Sequence, residues 1–247
     1  MSFENPGFEK KQGPIPTPDL HAAICYAVID LGKQKEQFPG KPEQIVSKCQ
    51  FCWEFTNLPH AVFDEAKGPQ PMAVFQEYTI AAGDRAKLPK MLASWGRMAA
   101  PQSISSALMK MFLGQACAIQ VEHNPSKKDK DSKTGQPIMY ANVGQKGLSV
   151  MPWPASFGHK PTQSVNKPIF FSLDHFTWEQ YDALPKGIQK KISECMEWPQ
   201  ILASHPRPAG SGQTQQSAAF NAQPPVQQQS FEQNSGISTP AAGGPSF

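Results

Sequence analysis

The sequence lacks the short motifs by which many enzymes hold a nucleotide, a metal or an acyl group. It contains no GxxxxGK[ST] loop, no GxGxxG after a predicted strand, no HExxH and no GxSxG. Its acidic residues are scattered, with no pair placed on a shared element to hold Mg²⁺. We therefore expect no catalytic residue, no metal site and no cofactor, and the pattern does not favour an enzyme.

Long apolar runs and a cysteine framework are also missing. No stretch approaches the roughly 18 apolar residues of a membrane span, and the first 20 residues have no apolar signal core. The five cysteines are an odd number without framework spacing, which is typical of reduced thiols. Cys49 and Cys52 form a lone CxxC pair, which is two ligands short of a zinc site. These absences predict a cytoplasmic protein without membrane contact, in which the two cysteines fill the core.

Proline and glycine are abundant, whereas net charge is small. With 25 Pro and 18 Gly in 247 residues, much of the chain is expected in turns and linkers. A formal net charge of +3 neither demands nor excludes a polyanionic partner, so the distribution of charge matters more than its sum.

Five segments have the alternation or the β-branched content of strands, and a helical stretch separates the third from the fourth. The helical stretch covers Arg85–Met98 and continues to Gly114. The order β-β-β-α-β-β predicts a mainly β protein with a five-stranded OB-like Greek-key barrel, with a β-sandwich as the alternative. The predicted strands are His21–Gly32, Ile45–Phe55, Met72–Ile80, Gln115–His123 and Pro137–Val143.

Composition divides the chain into four parts. Residues 1–20 are rich in Pro, Gly and Lys without a period and predict a flexible arm, and residues 21–151 hold the barrel. Residues 152–205 are a Pro-rich connector followed by short helices, one capped by Ser172 or Asp174 and one beginning near Pro185, which we expect to pack on the barrel. Residues 206–247 carry only Arg207 and Glu232 as charges among Gln, Ser, Gly, Ala and Pro, which predicts a disordered tail.

Lysines concentrate in the two loops that flank the oligonucleotide groove of an OB barrel. The loop between the fourth and fifth predicted strands also holds Asp129 and Asp131, so an ordinary solvated hairpin tip is the alternative. Lysines on both loops would give phosphate groups a positive channel and release counterions. The candidates are Lys127, Lys128, Lys130 and Lys133 in that loop, Lys33, Lys35 and Lys41 in the loop between the first two strands, and Lys48 on the second strand.

Aromatic side chains supply the stacking half of single-strand binding. Tyr140 is the strongest candidate, because it alternates with Asn142 against apolar neighbours and should face outward. Trp53 and Tyr78 are further candidates, although the barrel interior is an equal reading for Trp53. Basic residues around the predicted helix could extend the track, with a solvated helix face as the alternative; they are Arg85, Lys87, Lys90 and Arg97.

Seven short pieces within residues 21–195 carry a further signal in their order and spacing. They are Ala27–Gly32, Phe51–Phe55, Glu77–Thr79, Leu88–Trp95, Leu113–Cys117, Tyr140–Val143 and Phe170–Phe176. Together they resemble a family of phage-encoded OB-fold single-stranded DNA-binding proteins. The resemblance implies an accessory protein of DNA replication or recombination that coats transient single strands in the host cytoplasm, without strong sequence preference.

The C-terminal sequence departs from what the resemblance implies. Such proteins commonly end in an acidic tail tipped by an aromatic residue, which recruits partner enzymes. This chain ends in Phe247 without the acidic run, so recruitment of replication or recombination enzymes by the tail stays open. Two other functions also stay open: an RNA-binding OB protein, because recognition of the 2′-OH leaves no mark in the sequence, and a virion or scaffold module that binds no nucleic acid.

Overall fold

The computed structural model of the chain describes residues 12–37, 40, 42–63, 65–66, 68–83, 86–144 and 149–207. Nine strands and five α-helices form within these residues. The strands are β1 (Leu20–Glu36), β2 (Gln44–Phe55), β3 (Ala61–Val62), β4 (Pro69–Gln70), β5 (Ala73–Thr79), β6 (Ala116–Lys130), β7 (Pro137–Val143), β8 (Val150–Pro152) and β9 (Ile169–Phe171). The helices are α1 (Lys87–Gly96), α2 (Ser106–Lys110), α3 (Trp178–Asp182), α4 (Lys186–Ser193) and α5 (Trp198–Ser204).

Seven of the described strands share one sheet, in the order β5-β2-β1-β6-β7, with β8 beside β6 and β9 beside β1. The pairs are antiparallel except that of β9 with β1. The two ends of the sheet, β5 and β7, approach within 8 Å between Cα atoms, but no ladder joins them within the described residues. The predicted mainly β architecture is therefore confirmed, whereas hydrogen bonds do not close the sheet into the predicted barrel.

Strands β7 and β8 are two pieces of one interrupted strand along β6. Val143 lies opposite Val121, and Val150 lies opposite Ile119, so the chain leaves the ladder after β7 and returns to it at β8. The segment after Pro152 therefore starts from the same edge of β6 as the β6–β7 hairpin.

Gly32 marks a bulge in β1 and not the end of the strand that the sequence predicted. Its φ of 70° is one that residues with a side chain rarely adopt, and the register with β2 shifts between Asp30 and Gly32. A Cβ here would lie 2.8 Å from Leu173 and 2.9 Å from Cys195, so glycine also admits the later chain to this point. Beyond the bulge, the predicted loop residues 33–36 continue the strand opposite 44–47.

The sheet has a buried core on each face. On the inner face, aromatic side chains of β2 pack against α1, whose Leu88, Met91, Leu92 and Trp95 are buried as the helical period predicted. On the outer face, the second core joins Tyr26, Ile29 and Leu31 of β1 to apolar residues of β9 and α3–α5. In the structure, the C-terminal helices pack on the outer face of the sheet.

Polar contacts fix this C-terminal extension, residues 165–204, to the outer face. The Glu54 carboxylate is 1% exposed and accepts hydrogen bonds from the backbone N–H groups of Val165 (2.5 Å) and Asn166 (2.9 Å) and from the Asn166 amide (2.7 Å). Lys191 of α4 forms an ion pair with Glu77 of β5. The extension therefore covers the outer face across β1, β2 and β5.

None of the described helices has the length and apolarity to cross a membrane.

Residues 12–19, part of the segment predicted as a flexible arm, contact the sheet. The Gln12 side chain accepts a hydrogen bond from the N–H of Met139 (2.7 Å) and donates one to its carbonyl (3.2 Å), so it occupies the free edge of β7 as a neighbouring strand would. Ile15 packs against the inner core, and the Pro16 carbonyl lies 2.7 Å from Nε2 of His123. Residues 1–11 and the tail from 208 onward lie outside the described residues, so the predicted tail disorder stays a prediction.

Candidate nucleic-acid interface

The β6–β7 hairpin displays its lysines on a bulge. The ladder passes from the pair Pro125–Met139 directly to the pair Lys130–Pro137, so residues 126–129 of β6 have no partner on β7. The Ser126 hydroxyl organises this bulge by accepting the N–H groups of Lys128 (3.3 Å) and Asp129 (2.8 Å). As a result, four exposed lysines lie around the tip of the hairpin; they are Lys127, Lys128, Lys130 and Lys133.

Asp131 is buried in the hairpin turn, where its carboxylate serves as a cap. It accepts the N–H groups of Gln12 (2.6 Å), Lys133 (3.0 Å) and Thr134 (2.8 Å), and also the Thr134 hydroxyl (3.1 Å). The bonds from Gln12 and Thr134 lower the pKa of Asp131 to about 2, against a smaller opposite effect of burial. The negative charge of Asp131 is therefore held inside the turn.

Asp129 is half-buried and accepts a hydrogen bond from the Tyr140 hydroxyl at 2.9 Å. Burial, followed by this hydrogen bond and the charge of Asp129, raises the pKa of Tyr140 to about 12, so the phenol is neutral at physiological pH. Both aspartates that the sequence set against the lysines are thus engaged within the hairpin. None of the ion pairs of the described residues involves the four lysines.

Tyr140 belongs to a half-exposed polar strip on the outer face of β6 and β7. It lies opposite Asn124, and Asn142 lies opposite Glu122, so these four residues share one face. Ala141 is buried in the inner core on the other face, as is Val143. The strand register that the sequence predicted for Tyr140 is therefore confirmed, and its ring is accessible beside the lysines.

The lysines of the β1–β2 hairpin have a different environment. Lys33 lies 3.7 Å from Glu197, Lys35 lies 3.3 Å from Glu43, and Lys48 forms an ion pair with Glu36. Each of these three charges is neutralised by a carboxylate, so this hairpin contributes less positive potential than the sequence suggested. Lys41 lies outside the described residues.

Trp53 and Tyr78 are corrected as stacking candidates, because the structure places both in the inner core. Trp53 is fully buried and stacks on Phe51 with ring centroids 5.7 Å apart, and Tyr78 is 8% exposed. The core reading of Trp53 is confirmed, since the C-terminal helices cover one face of β2 and α1 covers the other. No base can reach either ring in this fold.

The cations of the predicted helix lie on or beside α1, which is separate in sequence from the β6–β7 hairpin. Lys87, Lys90 and Arg97 are exposed on or beside α1, which packs against β5 and β8, and Arg97 ends the helix in a left-handed conformation with a φ of 50°. Arg85 lies outside the described residues.

Residues after β8 form an aromatic and basic segment that sequence reasoning missed. Trp153 and Phe157 are half-buried and pack edge to face, and His159 and Lys160 follow them as exposed residues. The signal in the sequence was the close succession of aromatic, glycine and basic residues. The segment was instead interpreted as a connector because it is rich in proline.

Comparison of the chain with protein-family models, with curated protein sequences and with solved structures found no match.

Proposed function

We propose that this chain binds single-stranded DNA on the β6–β7 hairpin and acts in DNA replication or recombination. The observation that carries the proposal is the combination of four exposed lysines with a half-exposed tyrosine, in a hairpin whose two aspartates are engaged internally. A basic surface beside an accessible aromatic ring is what a single strand requires, because phosphates need cations and unpaired bases need a stacking partner.

The sheet order supports an OB-like architecture for this function. The first strand lies between the second and the fourth of the five predicted strands, a helix precedes the fourth, and the two ends of the sheet approach each other. These features fit a partly open five-stranded Greek-key barrel with an added C-terminal layer. Together with the sequence resemblance, they support a coating protein of the phage type.

In this proposal the lysines bind phosphates and Tyr140 stacks on a base. Phosphate contacts carry no base information, and every base has a π-face, so binding is tolerant of sequence. Duplex DNA keeps its bases paired and stacked, so it gains only the phosphate term. The C-terminal extension covers the outer face of β1, β2 and β5. We therefore expect the DNA strand to bind over the β6–β7 hairpin.

The test is a titration of labelled oligo-dT at about 50 and 200 mM salt, with duplex of equal length as competitor. The K127A/K128A/K130A/K133A variant should weaken binding to every sequence alike, and the slope of log affinity against log salt should fall by roughly 0.7 for each lysine–phosphate pair that the substitutions remove. Tyr140→Ala should cost roughly 1–3 kcal/mol of binding free energy and leave the salt slope unchanged.

A matched control removes three exposed lysines elsewhere, Lys110, Lys186 and Lys190. For this control, the slope of log affinity against log salt should stay at the value of the parent protein. Salt-independent binding, equal affinity for duplex, or equal loss in the control would each contradict the proposal. Tighter binding to oligo-U than to oligo-dT would favour an RNA-binding protein, and no binding to any oligonucleotide would favour a virion or scaffold module.

A further inference from the structure

Trp153 opens a short aromatic loop, residues 153–160, directly after β8. Its ring packs edge to face on Phe157, with centroids 5.5 Å apart, and its Nε1 donates to the Gly158 carbonyl at 3.2 Å. Gly158 has a φ of 74°, a conformation that favours glycine and lets the chain turn back to the indole. The loop therefore fixes Trp153 in place while leaving part of its surface exposed.

Positive charge lies at the end of the same loop. His159 and Lys160 are exposed, and no ion pair of the described residues involves Lys160. Burial raises the pKa of the Cys117 thiol, and the Lys160 ammonium acts in the opposite direction. Lys160 follows two residues after Gly158, whose carbonyl accepts the Trp153 Nε1 hydrogen bond, so the lysine comes directly after the point where the chain meets the indole.

The surrounding stretch of sequence contributes no carboxylate. Between Asp131 and Asp174 there is no acidic residue, whereas four lysines occur. Two carboxylates of neighbouring strands face this stretch: Glu54 of β2, which is bonded to the N–H groups of residues 165 and 166, and Glu122 of β6, which lies opposite Asn142. The sequence from the hairpin tip through the aromatic loop itself carries only positive charges.

The aromatic loop and Tyr140 lie along one edge of β6. Tyr140 is opposite Asn124 and Pro152 is opposite Cys117, so seven residues of β6, about 23 Å of strand, separate the two positions. A strand of several nucleotides spans such a distance, within the roughly 4–16 nucleotides that one OB domain covers.

We propose that the aromatic loop is a second base-stacking site for single-stranded DNA, with Trp153 as the stacking platform and Lys160 as its phosphate contact. One strand then engages Tyr140 and the hairpin lysines at one end of the β6 edge and Trp153 at the other. This inference rests on the proposed function and adds to it the path of the strand and the minimal length of DNA that binds fully.

The test uses the full chain and labelled oligo-dT of graded length, roughly 4 to 16 nucleotides. Trp153→Ala should weaken the longest oligonucleotide by roughly 5- to 150-fold, the worth of one stacked base. It should weaken the shortest much less, because that one still binds at Tyr140. Trp153→Phe keeps a stacking face and should restore most of the affinity.

Lys160→Ala gives a second readout that does not disturb the Trp153–Phe157 contact. It should lower the salt slope by roughly 0.7 with the longest oligonucleotide only. Lys190→Ala, which changes an exposed lysine on α4, should leave the slope unchanged at every length. Thermal melting of each variant at the temperature of the parent shows that the fold is intact.

The outcomes separate this inference from the proposed function. If the parent binds, the four-lysine hairpin variant is weakened, and both Trp153→Ala and Lys160→Ala bind like the parent at all lengths, the second site is wrong and the hairpin site stands. An equal loss at every length would also overturn it. If the parent binds no length of oligo-dT, the proposed function fails and the second site fails with it.

Discussion

At the scale of single residues, the hairpin shows why counting charges in a sequence misjudges an electrostatic surface. Asp129 and Asp131 cancel two of the four lysines on paper, yet one carboxylate caps a turn and the other holds the Tyr140 hydroxyl. An aspartate that accepts several N–H bonds directs its charge at the backbone, because those donors solvate it in place of water. Sequence showed the residue types but not which way each one points.

The burial of Trp53 was undecidable from sequence for a related reason. Alternation on β2 separates two faces, but it cannot tell whether one face is exposed or both are covered. Cys49 lies in the inner core and Cys52 in the outer core, so both faces of β2 are buried. A second covering layer supplied by residues more than 100 positions later is a tertiary fact, which local pattern does not contain.

Asp131 also makes a pH-dependent contribution to the stability of the fold, which arises from the hydrogen bonds that its carboxylate accepts. Its pKa is lowered in the folded state, so the stabilisation is complete above the unfolded value of about 4 and is lost as the pH falls towards about 2. Asp131→Asn should therefore destabilise the protein at neutral pH, and the gap in melting temperature to the parent should narrow below about pH 4. Melting curves across that range measure it. Glu194→Gln, at an exposed carboxylate directly after α4, is the control, and a gap that stays constant with pH would contradict the role of Asp131.

At the scale of elements, strands whose residues alternate between polar and apolar could be predicted from the sequence. Strands that depend on pairing with a distant segment could not. Strand β7 has the predicted bounds, whereas β1 and β6 extend past theirs because charged residues in a solvated hairpin resemble a loop. β8 and β9 are three residues each and exist only because β6 and β1 offer a free edge. Gly32 illustrates the ambiguity best, since glycine marks both strand ends and bulges.

Glu54 is the element-scale contact that links the C-terminal extension to the sheet. Glu54→Gln replaces one of two acceptor oxygens by a donor that faces N–H groups, so we expect a loss of about 1–3 kcal/mol in the free energy of unfolding. Chemical denaturation measures this. Glu43→Gln, at an exposed carboxylate paired with Lys35, should cost less than about 1 kcal/mol. Since the extension covers the outer face over β1, β2 and β5, whereas the proposed site lies over β6 and β7, oligo-dT affinity should be unchanged; a parallel loss of affinity would contradict that placement.

At the scale of the whole molecule, features set by local periodicity could be predicted from the sequence, whereas features set by contacts between distant residues could not. The order of five strands and one helix is a property of local periodicity, and it led to the mainly β architecture. Closure of the sheet, the second core and the path of the N-terminal segment depend on contacts between distant residues. The candidate site followed the same division: the lysine-rich hairpin was visible in the sequence, and its accessibility was not.

The contacts of Arg207 predict that the residues after it are dispensable for folding. The Arg207 guanidinium binds both carboxylate oxygens of Asp182 at 2.7 and 2.6 Å and lies 4.6 Å from the centre of the Trp178 ring, so the chain is anchored on α3 at this point. The segment beyond it has the composition of a disordered tail. A protein that ends at Arg207 should therefore melt with the same cooperativity as the full chain, with a free energy of unfolding within about 0.5 kcal/mol. Ending the chain at Glu197 removes Trp198 and Ile201 from the outer core and should cost at least roughly 2–5 kcal/mol. If the two truncations were equally stable, α5 would contribute nothing to the fold; if truncation at Arg207 abolished cooperative melting, the tail would be part of the structure and not an appendage.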